Sequence, residues 1–484
     1  MSFVLHAHSQ SKPNIIFILA DDLGYGDLRS FNPEGKIPTP NLDKLASRGM
    51  RFTNAHASSA VCTPSRYSII TGRYPWRSKL QKGVLFGFDA PLIEPDRTTV
   101  ASFLQDNGYF TTAIGKWHLG LEWAITDSTR TDGWGIDYTK PIKGGPNTLG
   151  FNYFYGISAS LDMPPFIFIE NEYTLGVPTV TKKWVREGPA EKDFEAQKVL
   201  ASITHKAQQV IYNQVKEQKP FFMYIALTSP HTPILPTEKF KGKSGVTDYG
   251  DFVMETDWAV GQVMKTLDSL GVADNTLVFF TSDNGFAPYV LRTHNVESLG
   301  HYPSNNLRGY KADVWDGGHR VPLIVSWPDQ VKGGSVNHSV ISLTDFMATC
   351  ADILNKKLPE DAAEDSYSLL PYLLSASDKP VRAAVVAQSH DGNFSIQQGK
   401  WKLILGPGSG GWAAPKNEEA YRQGLPSVQL YDMVSDISEK KNLAYRHPEV
   451  VTDLMKLLEQ YVAQGRSTPG KPLQNAVQVD IWKK

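Results

Sequence analysis

The chain is short of cysteine, of net charge and of long apolar runs, and each shortage excludes something. Among 484 residues there are two cysteines, Cys62 and Cys350. A disulfide framework, a Cys-rich zinc site and an iron–sulfur cluster all need more. Lys plus Arg is 49 against 50 for Asp plus Glu, a formal net charge of −1, so no basic field points to nucleic acid as a partner. The longest apolar runs, Ile15–Ala20 and Phe221–Leu227, have the length of buried strands and fall short of the roughly 18–20 residues of a membrane span. The first ten residues carry no basic n-region, and Phe3–Ala7 is too short for a complete secretory signal, so it reads as a remnant of one. Internal repeats are also lacking. A hydrophobic fraction of 41% with 20% charged residues leaves an ordinary globular chain with a substantial core.

Length alone allows about three domain-sized units, or one large α/β domain with a smaller companion. The pattern favours the second. Asn14–Ala20, Tyr109–Ile114, Phe221–Leu227, Thr276–Ser282 and Pro322–Trp327 read as strands. Thr39–Ala46, Thr98–Asn107, Phe194–Gln218 and Asp251–Leu270 read as helices between them, with Thr39 as an N-cap and Pro40 at the first helical position. Continuous apolar strands alternating with helices imply a large, mixed but mostly parallel sheet covered on both faces. Beyond residue 380 the strands become short and closely spaced, at Ala383–Gln388, Asn393–Gln397, Trp401–Leu405 and Val428–Tyr431, before a helix over Val450–Gln464. The expected division is a catalytic α/β domain over 13–380 and a small antiparallel-sheet-plus-helix subdomain over 381–484.

Polar residues gather just past the ends of these strands. Asp21 and Asp22 follow the first strand, and Asp283 and Asn284 follow Thr276–Ser282. Ligands of open α/β sheets bind at the carboxyl ends of strands. Three carboxylates and an amide oxygen suit a hard cation such as Ca²⁺ or Mg²⁺, although each pair could equally cap the turn that follows it. Lys116 and His118 follow another strand, His231 follows Phe221–Leu227, and Lys311 lies in a later loop. Pro64 stands where a helix would begin, which puts Cys62 just before a helix N-terminus, with Arg66 four positions on. Backbone donors there favour an anion, and a guanidinium matches an oxyanion with a planar fork. A cysteine beside an arginine also suggests a thiolate phosphatase, but the glycine-rich phosphate cradle of such enzymes is missing. Cys350 lies in the apolar helical stretch Leu343–Leu354, where packing is its expected role.

The run Cys62, Thr63, Pro64, Ser65, Arg66 with Thr71, Gly72 and Arg73 resembles the first sulfatase signature, and Gly115–Gly120 resembles the second. Ala20–Gly24 and Ser282–Gly285 are similar to the family's metal motifs, and Gly317–Pro322 and Leu430–Met433 with Asn442 and Leu443 to its later landmarks. The likeness runs from about residue 13 to about residue 465. It implies the formylglycine-dependent sulfatases of the alkaline phosphatase superfamily, nearest the arylsulfatase A and N-acetylgalactosamine-6-sulfatase branch.

That resemblance implies a particular chemistry. Cys62 would be oxidised to Cα-formylglycine by a formylglycine-generating or sulfatase-maturating enzyme that reads Cys62, Pro64 and Arg66. Asp21, Asp22, Asp283, Asn284 and the modified Cys62 would ligate Ca²⁺, with Mg²⁺ the second choice. Arg66 would hold the aldehyde hydrate, Lys116 and Lys311 would bind sulfate oxygens, His231 would protonate the leaving alcohol and His118 would deprotonate the second hydroxyl. Turnover would pass through a covalent sulfo-enzyme. Serine at position 62, lacking the second hydroxyl, would stall as the ester, and a disulfide between the two cysteines is not expected. The implied compartment is periplasmic, secreted or lysosomal. The implied substrate is a sulfated carbohydrate, with exo-acting removal of a 6-sulfate from galactose or N-acetylgalactosamine favoured by Leu85–Pro95, Ser158–Pro165 and Gly408–Trp412. Asp162 is a candidate contact to a sugar hydroxyl, with Trp76, Arg77 and His294 as further candidates. The competing readings are a general arylsulfatase, a phosphate or phosphonate monoester hydrolase, and a non-catalytic carbohydrate-binding relative.

Overall fold

The computed structural model describes residues 12–375 and 379–483, so the segment Phe3–Ala7 lies outside the described residues. Strands β1 (Asn14–Ala20), β2 (Met50–His56), β3 (Phe110–Lys116), β4 (Tyr153–Ile157), β5 (Ile169–Glu170) and β6 (Tyr173–Thr174) precede a separate hairpin, β7 (Val180–Trp184) with β8 (Arg186–Ala190). Then come β9 (Phe221–Ala226), β10 (Thr276–Ser282), β11 (Arg320–Ser326), β12 (Ser335–Asn337) and β13 (Ile341–Ser342). The large sheet runs in the order β12-β2-β11-β10-β1-β9-β3-β4-β5-β6, with β13 also on β2. Its centre, β10-β1-β9-β3-β4, is parallel.

Alternation builds the core on both faces at once. In β1, Ile15, Phe17 and Leu19 enter one hydrophobic cluster while Ile16, Ile18 and Ala20 enter the other. β10 divides in the same way, Leu277 and Phe279 against Val278 and Phe280. The two-residue period of a strand explains the split, and burial on both sides explains why the sequence shows an unbroken apolar run. Each of these side chains larger than alanine contributes about 1.5–3 kcal/mol on burial. Helices α1 (Pro40–Arg48), α2 (Cys62–Thr71), α3 (Val100–Asp106), α4 (Ala196–Lys216) and α5 (Asp248–Ser269) cover the faces. α4, α5 and α1 pack together, while α2 and α3 meet α7 (Phe346–Ile353) after the short α6 (Asp316–His319). Cys350 is fully buried in the cluster under α7, and both cysteines are free thiols.

Three details differ from the sequence reading. The expected strand at Pro322–Trp327 is present as β11, but it runs antiparallel to both β10 and β2. β2 itself was not anticipated, because its mixed burial breaks any clean alternation. Helix α2 begins at Cys62, with Val61 as the N-cap. Pro64 sits inside its first turn, where a missing N–H costs nothing, so Cys62 is the first helical residue and does not precede the helix.

The smaller sheet is antiparallel, β14 (Val385–Gln388), β15 (Phe394–Gln398), β16 (Trp401–Leu405) and β17 (Val428–Asp432) in sequence order. The helix Pro448–Gln464 packs on it through Leu454, Leu458 and Tyr461. No helix among the described residues is long and apolar enough to cross a membrane.

Candidate active site

The parallel register aligns Ala20 with Ser282, so Asp21 and Asp283 leave neighbouring strands side by side. Asp22 donates its backbone N–H to Asp283 Oδ1 at 3.2 Å, and its own φ of 64° is a left-handed conformation uncommon for a non-glycine residue. At the end of β3, Gly115 has φ 110° and a Cβ there would lie 1.9 Å from the Ala226 carbonyl oxygen. Only glycine permits that approach of β3 to β9, and Lys116 follows it directly.

Charges then pair inside a buried cluster. Lys116 Nζ reaches both Asp21 oxygens at 2.9 and 2.8 Å, and Lys311 Nζ reaches both Asp22 oxygens at 2.6 and 2.8 Å. Arg66 donates to Asp283 Oδ2 and lies 3.4 Å from Asp21 Oδ1. Three carboxylates therefore face three cations. Burial pushes the Asp21 carboxyl up, but Lys116, then His231, Arg66 and Lys311, outweigh it and hold the group well below the usual range. Asp22 is likewise raised by burial and brought down overall, chiefly by Lys311.

Cys62 lies at the centre, its Sγ 3.7 Å from Asp21 Oδ1 and 3.4 Å from Lys311 Nζ. Burial, then Asp283, pushes its thiol up to about 12, so at neutral pH the unmodified side chain is protonated and a poor nucleophile. Donor atoms of Asp21, Asp22, Cys62 and His231 fall within 4.8 Å of one another, a buried group able to hold a metal ion. Asn284 adds an amide: its Nδ2 donates to Asp22 Oδ1 at 2.7 Å, while its Oδ1 is buried with no partner. An unsatisfied buried oxygen beside three carboxylates fits a hard cation.

The two histidines flank the thiol. His118 Nε2 lies 2.7 Å from the Leu85 carbonyl oxygen. A carbonyl only accepts, so Nε2 carries the proton and Nδ1, buried without a partner, keeps its lone pair. Burial, then Lys116 and Arg66, holds this imidazole well below its ordinary pKa and hence neutral. His231 Nδ1 donates to the Thr232 carbonyl at 2.6 Å, which leaves Nε2 facing Asp22 Oδ2 at 3.6 Å and the Tyr289 hydroxyl at 3.4 Å.

Cys62, His118, His231 and Lys311 line one cleft of about 320 Å³, together with Ser160, Asp162, Arg186, Tyr289, His390 and Trp412. Arg66 and Lys116 are fully buried behind it. Asp162 Oδ2 accepts from Arg186 at the turn of the β7–β8 hairpin, while its Oδ1 and the Ser160 hydroxyl are buried and unpartnered.

Three of the suggested sugar contacts lie elsewhere. Arg77 is fully buried and grips Asp365 through Nε and Nη2 at 2.8 and 2.9 Å. Trp76 is stacked on Tyr74, meets the edge of Phe394 and lies 4.1 Å beneath the Arg77 guanidinium. Both join the large sheet's helices to the small sheet and touch no cleft, so neither is a substrate contact. His294 is half-buried just past the turn Pro288–Arg292 and does not line the cleft either. Sequence reasoning missed Tyr289, Arg186 and His390, which stand in no motif and reach the cleft only through folding.

A family model for sulfatases matches residues 13–356, and the chain belongs to that family, enzymes that hydrolyse sulfate esters. It is similar to an N-acetylgalactosamine-6-O-sulfatase of Bacteroides thetaiotaomicron, 35% identical over 94% of each chain. It is 30% identical to arylsulfatase A of Homo sapiens over 92% of this chain and 87% of that one. A solved 6S-sulf structure, from the metabolism of multiple glycosaminoglycans by B. thetaiotaomicron, superposes with a TM-score of 0.81. It is 33% identical over 93% of this chain and 99% of the other.

Proposed function

We propose that this sulfatase removes a 6-sulfate from a terminal galactose or N-acetylgalactosamine, with Cys62 converted to Cα-formylglycine and Ca²⁺ held by Asp21, Asp22, Asp283, Asn284 and residue 62. The carrying observation is a cleft of about 320 Å³ that is lined by Cys62 and offers two unsatisfied oxygens, on Ser160 and Asp162. The relative named for N-acetylgalactosamine-6-sulfate supports the same substrate.

The fit of the metal rests on the all-oxygen donor set and the orphaned Asn284 Oδ1. When bound, the cation and the matured residue supply charge neutralisation and the nucleophilic oxygen. The remaining work falls to this chain's own side chains. Lys311 lies beside Cys62, where an ammonium stabilises developing oxyanion charge. His231 Nε2, beside the Tyr289 hydroxyl and Asp22, is placed to donate to a departing alkoxide. His118 Nδ1 takes a proton from the nucleophile side, its orientation set by Leu85. Asp162, held by Arg186, accepts from a sugar hydroxyl. The maturating enzyme is a partner in this reading and works before folding, because every residue of α2 is buried. The compartment in this reading is outside the cytosol.

A panel of mono-sulfated sugars tests the proposal: 6-sulfated galactose and N-acetylgalactosamine should be desulfated, and 2-, 3- and 4-sulfated isomers should not. Absence of positional preference, or faster turnover of phosphate or phosphonate esters, overturns it.

A further inference from the structure

A second cavity, of about 330 Å³, adjoins the cleft and shares two lining residues with it, Tyr289 and Trp412. Pro288, Arg292, Tyr310 and Ala413 complete it. Tyr289 belongs to both spaces. Its hydroxyl donates to Asp22 Oδ2 at 3.1 Å, and its ring faces Trp412 at a centroid distance of 5.9 Å.

Trp412 is 37% exposed, yet its backbone is held firmly. Its N–H and that of Ala413 donate to Asp313 Oδ1 at 2.9 and 3.0 Å. Gly411 before it packs so closely on Ala312 that a Cβ would lie 2.4 Å from that carbonyl oxygen. A large aromatic fixed at the surface beside a cleft offers a flat face at small entropic cost. Arg292 is exposed, lines the same cavity, and forms no ion pair or side-chain hydrogen bond among the described residues. The nearby carboxylate, Glu297, is engaged by the Tyr310 hydroxyl at 2.7 Å.

We infer that this second cavity receives the sugar next to the sulfated one and selects a neighbour bearing an oxyanion, a uronate carboxylate or a second sulfate. The inference rests on the substrate reading above. The aromatic walls take the apolar face of the ring, and the Arg292 fork takes the anion in the planar geometry guanidinium prefers.

The test uses matured, metal-loaded enzyme and four substrates: 6-sulfated N-acetylgalactosamine alone, and the same sugar linked to a neutral hexose, a uronic acid or a sulfated hexose. The expected result is a kcat/KM about tenfold higher for one or both anionic disaccharides than for the neutral one, one charge-assisted contact's worth. Arg292→Ala should abolish that preference, Arg292→Lys should restore part of it, and monosaccharide turnover should be unchanged in both. The relative rates on uronate and sulfate identify which anion is read. Equal rates on neutral and anionic disaccharides, or a preference that survives Arg292→Ala, overturns the inference while leaving the substrate reading intact. Failure on the monosaccharide and on every disaccharide would instead remove the substrate reading, and this inference with it.

Discussion

Arg66 donates from both Nε and Nη2 to one oxygen of Asp283, Oδ2, at 3.0 and 2.7 Å, with both side chains fully buried. Its Nη1 holds the Lys116 carbonyl at 3.1 Å, so a single guanidinium ties α2 to the ends of β10 and β3. Arg66→Ala would leave the Asp283 carboxyl buried without its guanidinium partner, a loss of about 3–5 kcal/mol. Urea unfolding should show a lower midpoint at unchanged slope. Arg66→Lys keeps the charge without the fork and should fall between wild type and alanine. An unchanged midpoint in the alanine variant contradicts this.

Cys62→Ala and Cys62→Ser should fold with wild-type near-UV circular dichroism and show no turnover of sulfate esters. Mass spectrometry of the wild-type tryptic peptide should show thiol sulfur replaced by an aldehyde oxygen. Because α2 is buried along its whole length, folded thiol-form protein given the maturating enzyme afterwards should remain unconverted. Conversion of the folded form would refute the order of events.

If His118 is the base of the proposed reaction, its depressed pKa should set the acid limb of activity. Burial, Lys116 and Arg66 all disfavour its protonation, so the basic form persists below pH 6.5, the ordinary imidazole value. The acid limb of kcat/KM should accordingly lie below pH 6.5. His118→Ala should lose at least about a hundredfold in kcat, the scale of general acid–base catalysis. An acid limb above pH 6.5 that vanishes in His118→Ala would show the sign to be wrong.

A second buried group controls stability and not turnover. His56 Nδ1 lies 3.0 Å from His319 Nδ1, beside Asp316, Lys402 and Glu439, and Lys402 reaches the two acids at 2.7 and 2.8 Å. Lys402 Nζ lies on Asp316 Oδ1 at 2.7 Å and 3.3 Å from His319 Nε2, so an ammonium already occupies the space among these donors. Burial drives His56 down to about 3, whereas an unfolded imidazole protonates near 6.5. Between these values the unfolded chain binds more protons, so this contribution is complete above pH 6.5 and is lost as pH falls towards 3. Glu439, pushed up to about 7 by burial, works in the opposite direction from its ordinary value up to 7. His56→Gln isolates the histidine term: its melting temperature should fall less steeply than wild type between pH 6.5 and 4.5. Parallel slopes would assign the pH dependence to other groups.

Much of the site was legible because its polar side chains cluster at the ends of apolar strands. Asp21, Asp22, Asp283, Asn284, Lys116 and His231 could be placed near one another from strand order alone. Trp76 and Arg77 misled for a physical reason. An arginine in sequence shows its charge but not its partner, and Asp365 lies 288 positions away. The helix start was missed by two residues because proline fits anywhere in a first turn.

The amino-acid sequence by itself determined the alternation of strands and helices, the two-faced core, the family motifs and the donor types of the centre, since each follows from local periodicity and chemistry. Tertiary structure alone decided the rest. The register of β1 on β10 set Asp21 beside Asp283, the antiparallel direction of β11 joined β2 to the parallel centre, and burial raised the Cys62 thiol to about 12. Packing also brought Tyr289, Arg186, His390 and Trp412 from four separate segments to one cleft. Such contacts join residues with no fixed spacing, and pKa values depend on desolvation and on neighbours that a linear chain does not display.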